Sequence, residues 1–345
     1  MNLISSFLHL IDIDTDNIHP ISISDTPNIK NYIRDLVQEI AYNTLNKRDY
    51  SFKEGNTEVK NSLSEIIDNT DTLPEIIKNN ARRLLEKEKN AQSHLTARGL
   101  GKIQRGSLLH LHFNDDDDSY DKIIICKVEH DEILDEKDFD VARGLNIKKK
   151  FFKAILVVFD EQKEIKFTFV FDKNNSKYWW SEFLELQQKY TDADNTEKSL
   201  NAIDVVLKKE KTKYYPDYVI LKNSVVGYYH NNMDINYYDI LDTVIKDYDP
   251  IDPEFPKEKI IDKLINLPTK KGFDSQFQVD KNSIKKKIIQ RIKLGPSLFL
   301  SIDDFVDNLR NIIQPTKDKN GNKALCITTS EGYDQFEILM KKYGR

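Results

Sequence analysis

KAILVVFDEQKEIKFTFVFD, residues 153–172, decides the fold. KAILVVFD and IKFTFVFD are apolar, β-branched and aromatic runs of strand length, and the polar EQKE between them has the length of a hairpin connection. An isolated two-stranded hairpin is marginal in water, so more strands are expected beside it. They lie just upstream. GSLLHLHF (106–113) alternates apolar and polar residues, and DKIIICKVEH (121–130) is a β-branched run. A central antiparallel sheet follows, with the acidic FNDDDDSYD (113–121) as a solvated connection between two of its strands.

The same strand has an unusual entrance. In GLNIKKKFFKAILVVFD (144–160), Lys148, Lys149, Lys150 and Lys153 run into the apolar segment. Beyond Lys153 both alternating sets, Ala154, Leu156 and Val158 against Ile155, Val157 and Phe159, are apolar. The sheet is therefore expected to be covered on both faces, with the lysines at an exposed mouth.

Helical spacing dominates on either side. Asp25, Thr26 and Pro27 open a helix whose Ile29, Ile33, Leu36 and Ile40 share a face. Thr72 and Glu75 form a capping-box pattern with Pro74 in the first turn, followed by Ile77, Ala81, Leu84 and Leu85, and this helix should end near Gly99. After Asp172 come Trp179 and Trp180, and then a helix started by Asp194 and Glu197 with Leu200, Ile203, Val206 and Leu207 on one side. DYDPIDPEFP (247–256) reads as a linker because of its three prolines. Beyond it are expected a basic helix, DKNSIKKKIIQRIKL (280–294), the strand SLFLSI, a helix start at Asp303 and Asp304, a turn at KDKNGNK, the strand ALCITT and a last helix. The fold class is α+β. Its expected parts are a helical N-terminal region (1–104), a central antiparallel sheet with flanking helices (105–247) and a smaller α+β C-terminal part (257–345).

Composition narrows the function. The 345 residues are 39% apolar and 32% charged, and 17 Phe and 16 Tyr are too many for a disordered chain. Cys126 and Cys326 each lie in an apolar run and read as buried small hydrophobes, consistent with a reducing cytoplasm. The apolar N-terminus has no basic region and meets Asp12, Asp14 and Asp16 at once, so no signal peptide is expected, and no run reaches membrane-spanning length. A net charge of −5 hides a strong asymmetry. Residues 111–145 hold twelve acidic against four basic side chains, net −8, and residues 270–295 hold eight basic against two acidic, net +6.

Catalytic signatures are sparse. His110 and His112 share a strand face, with Glu129 and His130 on a candidate neighbour, but no second HxH or CxxC completes a zinc site. Asp160, Glu164 and Lys166 match metal-dependent nucleases in residue type, yet they bracket a hairpin turn where polar residues belong anyway. The chain has no nucleophile elbow and no Walker loop, and few of its 11 glycines could cradle a phosphate. No metal, cofactor or catalytic residue is expected. The lysines are the stronger signal. At about 100° per residue, Ile284, Ile288 and Ile292 take one arc of the basic helix and leave Lys286, Lys287, Arg291 and Lys293 on the rest. Such a face can grip phosphates without reading bases, and it can equally be an ordinary solvated face. Lys148 to Lys153 and Lys208, Lys209, Lys211 and Lys213 pose the same choice.

The order of these pieces resembles the bacterial nucleoid-associated protein family of the NdpA/YejK type. GLNIKKKFFKAILVVFDEQKEIKFTFVFDKNNSKYWWSEFLELQQKYTDADNTEKSLNAI is similar to that family's central block, with its Gly-x-Asn-Ile-Lys opening, hairpin, Lys-Tyr-Trp, Phe-Leu and Asn-Thr. VDKNSIKKKIIQRIKL with SLFLSI is similar to its C-terminal helix and strand, and RRLLEKEKNAQ to its approach to the first sheet strand. Where relatives carry a glycine pair entering that strand, this chain has GKIQRGSLLHL with Gly106 alone near the entry, and the run Asp115 to Asp118 looks like an insertion.

The resemblance implies a cytoplasmic, nucleoid-located, non-enzymatic protein that binds DNA with little sequence preference. The expected partner is double-stranded DNA; the resemblance supplies no binding residues, and charge alone assigns the contacts to Lys148, Lys149, Lys150, Lys153, Lys286, Lys287, Arg291 and Lys293, with four or five phosphate contacts giving a salt slope of about −4. A homodimer, and a protein partner docked on the acidic 115–140 segment in a phage-defence or stress system, are the further partners to test.

Overall fold

In the computed structural model, the description covers all residues except 24, 43–46, 56, 69–70, 104, 117–119, 135–140, 146–150, 152, 173, 286–288 and 344–345. The chain divides into two units. The first comprises Met1–Thr191 with Asp274–Gln276, and the second Asp192–Phe273 with Phe277–Arg345.

The first unit is built on the expected antiparallel sheet. Its strands are β1 (Asn2–Asp12), β2 (Asn17–Ile21), β3 (Arg48–Phe52), β4 (Gly106–Asn114), β5 (Lys122–Leu134), β6 (Val141–Leu145), β7 (Lys153–Phe159), β8 (Ile165–Asp172) and β9 (Leu186–Gln188). They run in the order β2-β1-β4-β5-β7-β8-β3-β9, with β6 paired to the far end of β5. The hairpin β7–β8 forms as the pattern predicts. Asp160 closes its turn by accepting from the amides of Gln162 and Glu164, both at 2.9 Å.

Both faces of the sheet are covered, as the alternation requires. One face presents Leu8, Leu109, Leu111, Phe113, Ile124, Cys126, Leu156 and Val158 to helix α1 (Pro27–Val37). The other presents Leu108, Ile123, Ile125, Ile155, Val157 and Val170 to α2 (Glu58–Asp68) and α3 (Leu73–Ala97). In α3 the side chains of Ile77, Ala81, Leu84 and Leu85 are all buried. Thr72 stands before α3, but it takes a helical backbone conformation and makes no side-chain cap. The capping box is therefore not formed, and Glu75 instead pairs with Lys78 at 3.0 Å.

The N-terminal region departs from the all-helical expectation. NLISSFLHLID pairs along β4 over nearly its whole length and adds β1 and β2 to the sheet. Leu8 and Ile11 are buried, a strand pattern that a reading centred on signal-peptide criteria passes over.

The second unit is mainly helical, with a core of Leu200, Ile203, Leu221, Tyr229, Tyr237, Ile245, Phe255, Ile260 and Phe277. Its elements include α4 (Asp192–Lys208), α5 (Tyr215–Asn231), β10 (Asp234–Asn236), α6 (Tyr237–Ile240), α7 (Lys257–Leu264), α8 (Leu267–Lys271) and β11 (Gln276–Gln278). They continue with α9 (Lys281–Lys285), β12 (Gln290–Lys293), β13 (Phe299–Ile302), α10 (Leu309–Ile312), β14 (Ile313–Lys317), β15 (Lys323–Ile327) and α11 (Ser330–Tyr343).

Four expectations are corrected here. The proline-rich DYDPIDPEFP is not a linker, because the buried Asp217 carboxylate accepts from the Tyr248 hydroxyl at 2.8 Å and from the amides of Ile251 at 2.6 Å and Asp252 at 3.3 Å. Phe255 anchors the same segment in the core. The second correction concerns 280–294, where a short helix gives way to strand β12, antiparallel to β13. Period-two burial decides this: Gln290 and Ile292 face inward while Arg291 and Lys293 face out. Asp303 and Asp304 do not start a helix, and α10 begins at Leu309. Cys126 is buried as expected, whereas Cys326, on the open hairpin β14–β15, is exposed.

Candidate nucleic-acid interface

At Lys153 the sheet carries a buried ionic row. Cross-strand register places Leu108 opposite Lys127, Lys127 opposite Lys153, and Lys153 opposite Asp172, so one row on the α3 side of the sheet carries two lysines and an aspartate. Like charges directly opposite each other are unfavourable, and carboxylates offset them here. Lys127 Nζ lies 2.5 Å from Oε1 of Glu88, which descends from α3. Lys153 Nζ lies 2.8 Å from Oδ1 of Asp172 and 2.7 Å from Oγ of Ser176, with the Tyr178 ring 5.5 Å away. Asp172 also accepts from the amides of Asn174 and Ser176. Burial pushes the Glu88 carboxyl up and the Lys127 ammonium down, and each partner's charge pulls the other back.

Gly106 fits this row. A Cβ there would stand 2.4 Å from the Val128 carbonyl and 3.2 Å from Cε of Lys127, so the lysine stem lies across a backbone without a side chain.

Lys153 therefore leaves the exposed mouth to which the sequence assigns it. It is buried and ion-paired, a strut of the core in place of a phosphate contact. Lys148, Lys149, Lys150, Lys286 and Lys287 lie outside the described residues.

Arg291 and Lys293 are exposed on one face of the ribbon β12–β13, where their cross-strand partners are Ser301 and Phe299. The Arg291 guanidinium lies 4.0 Å above the Phe299 ring. Among the described residues neither cation meets a carboxylate. Lys281 is differently engaged: its ammonium donates to the carbonyls of Tyr229 and His230, at 3.1 and 2.6 Å, and closes the C-terminus of α5. Lys213 pairs with Glu254 at 3.3 Å, and Lys211 lies over Tyr218.

A second basic surface was not singled out by its sequence. β3 pairs with β8 only at Arg48–Val170 and Asp49–Phe169, then turns to β9 at Tyr50. The split leaves an open groove of about 430 Å³ lined by Tyr50, Phe52, Lys60, Lys166, Phe167 and Lys189, among others. Phe167 is 47% exposed and stacks on Phe169 at 5.9 Å, while Lys47 caps the Phe169 ring at 4.1 Å. Asp49 shares the groove; burial pushes its carboxyl up, and Lys189 and Lys47 pull it back. The available signal was the Lys166–Phe167 pair, exposed near the start of a strand whose later residues are buried or half-buried.

The remaining candidates have local roles. His110 Nε2 lies 3.4 Å from Asn80 Nδ2, His112 Nε2 is 2.7 Å from Asp121, and His130 Nε2 is 2.7 Å from the Ser107 hydroxyl. Burial, assisted by His9, lowers the His110 pKa to about 3. Among the described residues no group of three His, Cys, Asp or Glu side chains could hold a metal ion. Lys166 donates to the Tyr120 hydroxyl at 3.1 Å, and Asp160 is engaged by its own turn, so they do not form a nuclease triad with Glu164. In the acidic segment, Asp115 holds Lys122 at 2.8 Å and accepts from Tyr42, and Asp116 meets the N-terminal amine. Among the described residues no helix is long and apolar enough to cross a membrane.

Residues 22–320 match a protein family described as nucleoid-associated protein YejK. No curated protein matches the chain.

Proposed function

The chain belongs to the nucleoid-associated protein family, and from that premise we propose that it binds double-stranded DNA through backbone phosphates, without base readout and without catalysing a reaction. The observation that carries this reading is the exposed ribbon face, where Arg291 and Lys293 stand two residues apart, paired with no described carboxylate and backed by Phe299. A planar guanidinium held over an aromatic ring is pre-organised for a phosphate, so less side-chain freedom is lost on binding. Lys60, Lys166 and Lys189 around the groove in the first unit form a second cationic set. Lys148, Lys149, Lys150, Lys286 and Lys287 remain candidates of the same kind.

The test is a DNA titration across a salt series. Each phosphate neutralised contributes about 0.9 to the slope of log K against log salt, so Arg291→Glu/Lys293→Glu should flatten it by about 2. Lys166→Glu/Lys189→Glu is the matched variant for the groove, and loss in one but not the other locates the surface. A flat salt response in the unaltered protein would end the proposal.

A further inference from the structure

The C-terminal strands and helix carry apolar surface that no described residue covers. At about 100° per residue, Tyr333, Phe336, Leu339 and Met340 occupy one arc of α11, and they are 64%, 70%, 49% and 68% exposed. Leu325 and Ile327 on β15 are also exposed. A two-stranded hairpin and a 14-residue helix are each marginal in water without a packed face. The family match ends at residue 320, inside the turn between β14 and β15, so this surface lies beyond what the family describes.

We propose that the apolar stripe of α11 is a self-association surface, paired antiparallel with α11 of a second copy. Area and charge both favour this occupant. Four side chains of this size, exposed to this degree, offer on the order of 500 Å² per copy. Two copies then bury ~1,000 Å², about where a specific interface begins.

The charges beside the stripe are self-complementary under a two-fold axis. Asp334 and Glu337 precede Lys341 along the same flank. An axis passing between Glu337 and Ile338 sets Phe336 of one helix against Leu339 of the other and Asp334 against Lys341, twice over, as an isologous interface demands. A parallel pair would set aspartate against aspartate. Lys341 makes an exposed i,i+4 contact to Glu337 at 3.1 Å, a pairing weak enough to exchange.

Sedimentation of the full chain without DNA, from low to high micromolar concentration, tests the pairing. The unaltered protein should dimerise. Phe336→Asp should raise the dissociation constant roughly tenfold or more. Asp334→Lys should weaken the dimer, and Asp334→Lys/Lys341→Glu should restore it, a rescue that a general loss of folding cannot mimic. Circular dichroism should be unchanged in all three. A monomer at every concentration, or a dimer indifferent to Phe336→Asp, would overturn the proposal and leave the stripe to a different protein or a lipid surface.

Discussion

Asp217→Ala should convert the proline-rich segment 247–256 from a strap into a true linker. The Asp217 carboxylate, buried in the first turn of α5, accepts three donors from that segment, two of them at 2.8 and 2.6 Å. A hydrogen bond to a charged group contributes about 1.5–3 kcal/mol net. Much of the segment stays solvated, so the lower part of that range applies, and the two short bonds together stabilise by about 3–4 kcal/mol. With a urea slope of about 2 kcal/mol/M, the midpoint should fall by about 1.5–2 M. Asp217→Asn keeps a side-chain acceptor and should lose about half as much.

Far-UV circular dichroism in urea measures the shift, and limited trypsin digestion measures the release. Lys246 and Lys257 flank the segment, and Lys257 is held by the carbonyls of Lys246 and Tyr248, so cutting there should accelerate in the variant. An unchanged midpoint with no new cleavage would refute the reasoning and return the segment to the role of a linker.

Two further outcomes follow from the core of the first unit. Lys153→Met should lower stability by about 3–5 kcal/mol, because it strands Asp172 in the interior, while DNA affinity of the folded protein stays unchanged. Thermal unfolding beside a DNA titration separates the two, and a variant of normal stability would contradict the strut. His110 is buried neutral, with a pKa of about 3 against an ordinary 6.5, so between these values the unfolded chain binds the proton and the folded one does not. Stability is then full above pH 6.5 and lost on acidification, at about 1.4 kcal/mol per pH unit or about 2 kcal/mol by pH 5. Urea midpoints at pH 7 and pH 5 measure it, and His110→Gln should flatten the difference.

What was legible was periodicity; what was not was pairing. The hairpin 153–172, the covered sheet and the face of α3 follow from spacing alone, because burial imposes a period that composition cannot hide. Glu88 occupies the next position of the α3 stripe after Leu84, Lys127 follows Ile123 and Ile125 on one strand face, and Lys153 precedes Ile155 and Val157. Each reads as surface charge until its partner is known, and those partners come from 19 to 39 residues away. For 280–294 the isoleucine spacing fits a helix and a ribbon alike, and the turn at Gly295–Pro296, which lets β13 return, decides for the ribbon. DYDPIDPEFP misleads because proline marks irregular backbone, and irregular backbone can be tied down by a distant carboxylate as readily as left loose.

Asp274–Gln276 belongs to the first unit although the chain on either side belongs to the second. The Asp274 carboxylate accepts from the Asp49 amide at 2.7 Å, and the Ser275 hydroxyl donates to the Lys47 carbonyl at 3.2 Å. This has a consequence for synthesis. When residue 191 leaves the ribosome every strand of the sheet exists, yet the Asp49 amide at the start of β3 still lacks its acceptor. That bond waits until all of α4 to α8 has been translated. Order of emergence and order of completion thus differ, and a ribosome pausing before residue 274 would hold the first unit open at the strand that borders the basic groove.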